Sequence, residues 1–380
     1  RKSKYMKKVV IAIDSFKGCL PSVEAGKAAA EGIRSVYPEC EVICLPIADG
    51  GEGMLDVLIM ATNGQEVPIS AHDPLMRWRN TYYGISENEE TAFIEMASIS
   101  GLPLVPPERR NPMLTTTYGT GELIRDALER GCRNFIIGIG GSATNDAGLG
   151  MLQALGFRFS DKEGKEVGTG RGEVLIKVAY IDSTFVHPAL NSCRFTVACD
   201  VQNPFYGPEG AAYVFAPQKG ADREMVEALD AGLQNFAEVI RHTTGKDISH
   251  HPGAGAAGGM GGSLLAFLNA ELKPGIQLML EALDFSNKIK SADLIITGEG
   301  KADRQTLMGK VPSGILAEAR KQHIPVILLA GNIEDSNELQ QAGFEGVFSV
   351  NPPFISLEEA MRPEVARKNI QQTVESICKK

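Results

Sequence analysis

Five runs of apolar residues in this chain stop in the same way, at an acid, a glycine or both. Ile13 is followed by Asp14-Ser15-Phe16-Lys17-Gly18, and Ala48 by Asp49-Gly50-Gly51-Glu52-Gly53. Ile139 runs into Gly140-Gly141-Ser142-Ala143-Thr144-Asn145-Asp146, and Cys199 into Asp200-Val201-Gln202-Asn203-Pro204. Thr297 runs into Gly298-Glu299-Gly300-Lys301-Ala302-Asp303. A short β-branched run, a glycine-rich corner and then a helical pattern is the rhythm of a parallel sheet with helices on its faces.

The opening of the chain shows that rhythm plainly. Lys8–Ile13 is an unbroken apolar run of strand length, as in a sheet covered on both sides. Residues 22–36 read as a helix, with Ala25, Ala29, Ile33 and Val36 on one face and Pro38 beyond the end. Residues 41–47 supply a second strand, so the first two strands are expected to be parallel. Residues 67–112 change character: alternating strands at 67–71, 80–85 and 91–96 are split by Pro- and Asn-containing turns, the pattern of an antiparallel insertion. A helix at 120–129, a strand at 135–139 and a further helix to about Leu155 follow. Strands at 294–297, 326–330 and 346–350 restore the α/β alternation near the C-terminus. The expected fold is α/β with two domains. A doubly wound, mostly parallel domain of the Rossmann or flavodoxin type takes residues 1–66 plus 285–380, and a mixed α/β domain, 67–284, is inserted into it.

Charge and composition remove several classes of function. With 38 basic and 47 acidic residues the formal charge is −9, and there is no Lys/Arg-rich run to hold nucleic acid or an anionic membrane. No apolar stretch approaches the ~18 residues of a membrane span. The N-terminal apolar run is five residues, too short for a signal-peptide core, and Met6 is a candidate natural start. Seven scattered cysteines with no C-x-x-C pattern suit free thiols in the cytoplasm. The Walker A loop, the kinase H-R-D and D-F-G sequences, the G-x-S-x-G elbow and the H-E-x-x-H helix are all absent.

The five corners are candidate sites, because ligands gather at the carboxyl ends of strands in open α/β sheets. Asp14 can hold Mg²⁺ or take a proton, and Lys17 can meet a phosphate as a point charge. Gly50 and Gly51 allow backbone N–H groups close to an anion. Asp49 and Glu52 beside them would repel that anion unless a metal intervenes, which suggests Mg²⁺–phosphate chemistry. Gly298, Gly300 and Lys301 echo that corner, with Lys310 and Ser313 at a later helix start. Gly140, Gly141 and Ser142 form a third anion-binding candidate. Gly138–Ala143 also matches the dinucleotide fingerprint G-x-G-x-x-A, with Asp161 near the end of a possible next strand, which supports an NAD(P)-dependent oxidoreductase of small hydroxy acids as a second reading. Asp200 is a candidate general base, Asn203 and Arg171 candidate contacts to a substrate carboxylate, and Lys219 a second phosphate clamp.

Taken together and in this order, the motifs from Asp14-Ser15-Phe16-Lys17-Gly18 to Thr297-Gly298-Glu299-Gly300, with Pro217-Gln218-Lys219-Gly220-Ala221 between, resemble the bacterial glycerate kinase family of the glycerate 2-kinase type. The resemblance runs from about Met6 to the C-terminus. It implies two α/β domains, ATP as phosphoryl donor, and phosphorylation of D-glycerate at its 2-hydroxyl to give 2-phosphoglycerate. Set on that activity, the physical assignments are Mg²⁺ held by Asp49, Glu52 or Asp14, phosphate charge neutralised by Lys17 with Lys219 as a second candidate, and Asp200 accepting the hydroxyl proton. The partners are then a small hydroxy acid and ATP.

Overall fold

The computed structural model describes residues 5–380, so the segment ahead of Met6 lies, apart from Tyr5, outside the described residues. The strands, in chain order, are β1 (Lys8–Ile13), β2 (Glu41–Cys44), β3 (Gln65–His72), β4 (Trp78–Ile85), β5 (Thr91–Glu95), β6 (Asn134–Gly138), β7 (Arg158–Ser160), β8 (Tyr180–Asp182), β9 (Arg194–Ala198), β10 (Glu271–Lys273), β11 (Leu294–Ala302), β12 (Val326–Ile333) and β13 (Gly346–Ser349). They fall into two compact units. One comprises residues up to Val57 together with Ile276–Lys380, the other Leu58–Gly275.

The first unit is built on a five-stranded sheet in the order β13-β12-β11-β1-β2, parallel throughout. Val9, Val10, Ile11 and Ala12 are fully buried, as an apolar run covered on both faces must be. The helix Ser22–Val36 packs through alanines and glycine, with Ala25, Ala29 and Gly32 buried. A Cβ on Gly32 would stand 2.7 Å from the Gln371 carbonyl oxygen and 2.9 Å from Val374 Cβ, so only glycine lets this helix approach the helix Pro363–Cys378 so closely. Ser22 ties two corners together: its hydroxyl donates to the Ile13 carbonyl at 2.6 Å and accepts from the Ile47 amide at 2.9 Å.

Two strands differ from expectation. β2 stops at Cys44 rather than continuing to Ile47: the Leu45 amide still reaches the Ile11 carbonyl, but the Ser22 hydroxyl then stands between the Ile47 amide and the Ile13 carbonyl in place of a further ladder bond. β11 and β12 run several residues past the expected ends: Glu299 pairs with Ala330, Lys301 with Asn332 and Ala302 with Ile333. The phrase Gly298-Glu299-Gly300 is therefore strand and not a turn. A Cβ on Gly298 would lie 2.5 Å from the Leu329 carbonyl oxygen, so its glycine serves close strand packing.

The second unit holds a mixed sheet in the order β10-β9-β6-β5-β4-β3. β3, β4 and β5 pair antiparallel, in keeping with their polar alternation, while β5, β6, β9 and β10 run parallel. β5 thus joins the antiparallel meander to the parallel half. Its core includes Phe135 stacked on Phe195 with ring centroids 4.7 Å apart. The helix Arg223–Thr244 is capped by Asp222, whose side chain accepts from the Met225 amide at 2.9 Å, and ends at Gly245 in the left-handed region.

Candidate active site

In the first unit the carboxyl ends of β1, β11 and β12 open into a cavity of about 450 Å³. Asp14, Lys17, Asp49, Glu299, Lys301 and Lys310 give it a charged wall; Phe16, Val350 and Met361 give it an apolar one. Backbone pairing sets this out. Ile13 is in register with Gly298, and the Asp14 amide donates to the Gly298 carbonyl at 2.9 Å, which places Asp14, just past the end of β1, beside Glu299 within β11. The loop after β1 closes on itself through Phe16 and Leu20, each amide bonding to the other's carbonyl, with Gly18 in the left-handed region. Lys17 is exposed on that loop.

The acids crowd one another. Burial pushes the Asp14 carboxyl up to about 7, and the charges of Asp49 and Glu299 add to the effect, against the Ser15 amide and Lys17. The Ser15 amide donates to Asp14 Oδ1 at 2.7 Å. Burial also raises Glu299, while the Thr306 hydroxyl and Lys310 draw it back down. Asp49 Oδ1 accepts from the Gly51 amide at 3.1 Å, and Gly50 and Gly53 take positive φ in this corner, as a glycine turn requires. Glu52 is exposed on the same loop and lies outside the cavity lining. Lys301 is shared with Glu334 at 3.1 Å and Asp303 at 3.8 Å. The two acid-and-glycine corners that echo each other in the sequence, around Asp49 and around Glu299, thus line one cavity.

The second unit gathers the other candidates. Its loop after β6 carries buried Ser142, Thr144, Asn145 and Asp146. Asp146 accepts from the Thr117 amide and hydroxyl at 2.9 and 2.8 Å, and from the Gly148 and Gly150 amides at 3.0 and 3.1 Å. Lys219, 3% exposed, donates through Nζ to the Thr144 carbonyl at 2.6 Å and to Ser142 Oγ at 3.2 Å. Burial pulls its pKa down to about 7, although Asp146 favours its charge. Its ammonium is engaged by the protein, which limits what it can offer a phosphate. Both amide atoms of Asn145 and the Nε of Arg171 are buried without a hydrogen-bond partner. Gly140 and Gly141 are exposed. Asn203 donates to the Glu209 carbonyl at 2.8 Å and so closes its own loop. Asp200 Oδ1 accepts from the Gly275 amide at 2.8 Å.

The dinucleotide fingerprint is not realised as a fold. That motif needs a strand, a tight turn and a helix whose N-terminus faces the pyrophosphate. Here β6 ends at Gly138, the helix begins only at Leu149, and the position where a pyrophosphate would sit is filled by buried Asp146. β7, just before Asp161, pairs antiparallel with β8 instead of joining a parallel sheet.

The family model described as the glycerate kinase family matches residues 9–380. The chain belongs to the glycerate kinase family. It is 48% identical to the glycerate 2-kinase of Escherichia coli strain K12, over 93% of this chain and 93% of that one. It is 46% identical to the glycerate kinase of Bacillus subtilis strain 168, over 98% and 97%. A crystal structure described as that of a candidate glycerate kinase 2 from Salmonella typhimurium LT2 superposes with a TM-score of 0.90 at 44% identity, covering 98% of both chains. As a member of the glycerate kinase family the chain is a kinase that phosphorylates glycerate, and ATP is the donor the family implies. Nothing in the comparisons supports the oxidoreductase reading. No helix among the described residues is long and apolar enough to cross a membrane.

Two residues of this cavity, Glu299 and Lys310, and Thr306 behind it carry weaker sequence signals. Glu299 belongs to the phrase after Thr297, yet its side chain is identified only by the register that sets it beside Asp14. Thr306 follows Asp303 by three residues, the spacing of a reciprocal cap, which the structure forms. Lys310 precedes the helix Val311–Lys321 and reaches the cavity from there.

Proposed function

We propose that this chain transfers the γ-phosphoryl group of ATP to the 2-hydroxyl of D-glycerate, giving 2-phosphoglycerate, in the cytoplasm. One observation carries the placement of the chemistry in the first unit: Asp14, with its carboxyl near 7, stands at a strand end beside Asp49 and Glu299 in a cavity that Lys17 and Lys310 also line. Lys17 and Lys310, with Lys301 behind them, supply positive charge for the phosphates. Gly300 keeps the wall low enough for backbone to approach them, and Gly50 and Gly51 lie on the loop that carries Asp49. The loose transition state of phosphoryl transfer places most of the work on positioning and charge.

Magnesium is the proposed counter-ion of the nucleotide. Among the described residues no group of three or more His, Cys, Asp or Glu side chains is arranged to hold a metal alone. That fits an ion which keeps waters and takes one or two carboxylates besides substrate phosphates. Asp49 would hold it from the cavity wall; Glu52, exposed on the same loop, lies outside the lining. When bound, the ion neutralises phosphate charge.

The hydroxyl proton has two candidate acceptors. Asp14 has the stronger support: its pKa near 7 suits a base at neutral pH. Asp200 is exposed and holds the Gly275 amide. In the second unit Arg171, its Nε lacking a partner within the protein, is a candidate contact for a carboxylate ligand. Gly140, Gly141 and Ser142 are a further candidate for ligand contact.

The test is direct. Purified protein is incubated with D-glycerate, Mg²⁺ and either ATP or NAD⁺. ADP that forms only with glycerate, and a product whose NMR spectrum is that of 2-phosphoglycerate, are expected. NADH formation, or no turnover, overturns the reading; 3-phosphoglycerate overturns the choice of hydroxyl.

A further inference from the structure

Glu299 sits in the cavity wall under unusual constraint. The residue is 6% exposed and its carboxyl is faced by three acids, Asp14, Asp49 and Asp303, and by Lys310. Left to itself, a flexible carboxylate in such a field turns toward the lysine and away from the other acids. It is prevented from doing so from behind. Thr306, fully buried, donates its hydroxyl to Glu299 Oε1. The same hydroxyl accepts from the Asp303 amide at 2.9 Å, while Asp303 Oδ1 accepts from the Gln305 amide at 2.7 Å. Its single proton is therefore directed at the carboxylate, since the Asp303 N–H already occupies a lone pair. The turn Arg304–Leu307 that carries Thr306 leads within a few residues to Lys310, which lines the same cavity.

We propose that Thr306 is a positioning residue for phosphoryl transfer: its buried hydroxyl fixes the Glu299 carboxylate against the cavity and couples that carboxylate to the turn that delivers Lys310. An ordinary capping threonine would bond to backbone alone. This one spends its donor on a side chain of the cavity. The inference rests on the reading that places the reaction in the first unit.

The experiment compares steady-state kinetics of the full chain with D-glycerate and MgATP for wild type, Thr306→Val, Thr306→Ala, Thr306→Ser and Glu299→Gln, with circular dichroism and thermal midpoint recorded for each. Loss of the hydroxyl is expected to lower kcat by about 10–100-fold, the scale of a misplaced group, with KM for both substrates within about twofold. Serine, which keeps the hydroxyl and loses the methyl, is expected to recover kcat to within about threefold of wild type. Where valine does not fold, the contrast of alanine with serine carries the same test. In a Glu299→Gln background, removing the Thr306 hydroxyl is expected to cost less than about threefold more, because the two residues act as one unit. Folded Val or Ala variants with normal kcat overturn the inference, as do serine behaving like alanine and fully additive losses with Glu299→Gln. Failures separate cleanly. No glycerate-dependent ADP from wild type removes the proposed function. Normal kinetics in Glu299→Gln removes Glu299 from the reaction machinery, and the inference with it, while the reading of the cavity stands or falls with the Asp14 and Lys17 variants. Loss in Glu299→Gln with none in the Thr306 variants removes this inference alone.

Discussion

The Asp14 amide donates to the Gly298 carbonyl at 2.9 Å, and that bond carries the parallel pairing of β1 and β11 one residue beyond Ile13. Its consequence is chemical. Two acids, Asp14 just past the end of β1 and Glu299 within β11, come to rest side by side where neither can leave without breaking the sheet. Burial is the main reason the Asp14 carboxyl is pushed up to about 7, and the charges of Asp49 and Glu299 add to it.

That shift has a sign that can be measured. The folded carboxyl titrates at about 7 against an ordinary 3.8, so across about pH 4–7 the folded chain holds a proton that the unfolded chain has lost. Stability from this group is full below the lower value, falls as pH rises and levels off above about 7. Asparagine cannot titrate. From pH 5 to pH 8 the stability of Asp14→Asn relative to wild type is expected to rise by about 1–3 kcal/mol in chemical denaturation. A constant difference across that range would show that Asp14 keeps an ordinary pKa.

Asp14 and Asp200 make opposite predictions. Asp14→Asn is expected to lower turnover at least ~100-fold and to abolish a rising limb of kcat near pH 7, the loss typical of a general base. Asp200→Asn keeps an oxygen for the Gly275 amide and is expected to stay within about tenfold of wild type, a loss well short of a missing general base. The reverse order in folded, purified variants would return the proton to Asp200.

Lys17 is exposed on a closed loop and lines the cavity, so its removal leaves the core untouched. Lys17→Ala is expected to lower turnover at least ~100-fold with an unchanged thermal midpoint, the scale of losing one electrostatic contact to a transferring phosphoryl group. Arginine at this site keeps charge but loses the compact ammonium, and is expected to restore part of the activity. Near-normal kinetics in the alanine variant would remove Lys17 from the phosphate contacts.

Strand positions near the chain ends were legible because buried parallel strands are written as unbroken apolar runs, as in Val9–Ile13. The corners at Asp14 and Asp49 were legible for a related reason: polar residues stop such runs abruptly. Glu299 was harder to place. Glycine normally signals a turn, and the sequence holds no sign that Gly298 is needed for contact with the Leu329 backbone instead. The dinucleotide pattern at Gly138–Ala143 misled for a similar reason. Its glycines and alanine are shared by any tight loop, and what decides the fold is Asp146, which is tied to Thr117 by two hydrogen bonds and accepts the Gly148 and Gly150 amides at the start of a helix that begins only at Leu149. Thr306 is legible only as a cap; that its proton turns to Glu299 depends on tertiary packing.

The helix pair in the first unit offers a test of the packing itself. A Cβ at residue 32 would meet a backbone oxygen at 2.7 Å and Val374 Cβ at 2.9 Å, and neither neighbour is the free end of a flexible chain. Helix propensity alone would make Gly32→Ala stabilising by about 1 kcal/mol. Overpacking in a close helix contact costs about 1–3 kcal/mol and should win. Gly32→Ala is therefore expected to be destabilised on balance in urea denaturation, and the paired change Val374→Ala to relieve only a small part of the loss, because it removes Val374 Cγ1 at 3.0 Å but leaves the Cβ and the Gln371 carbonyl in place. A Gly32→Ala variant more stable than wild type would mean that the two helices can move apart without penalty.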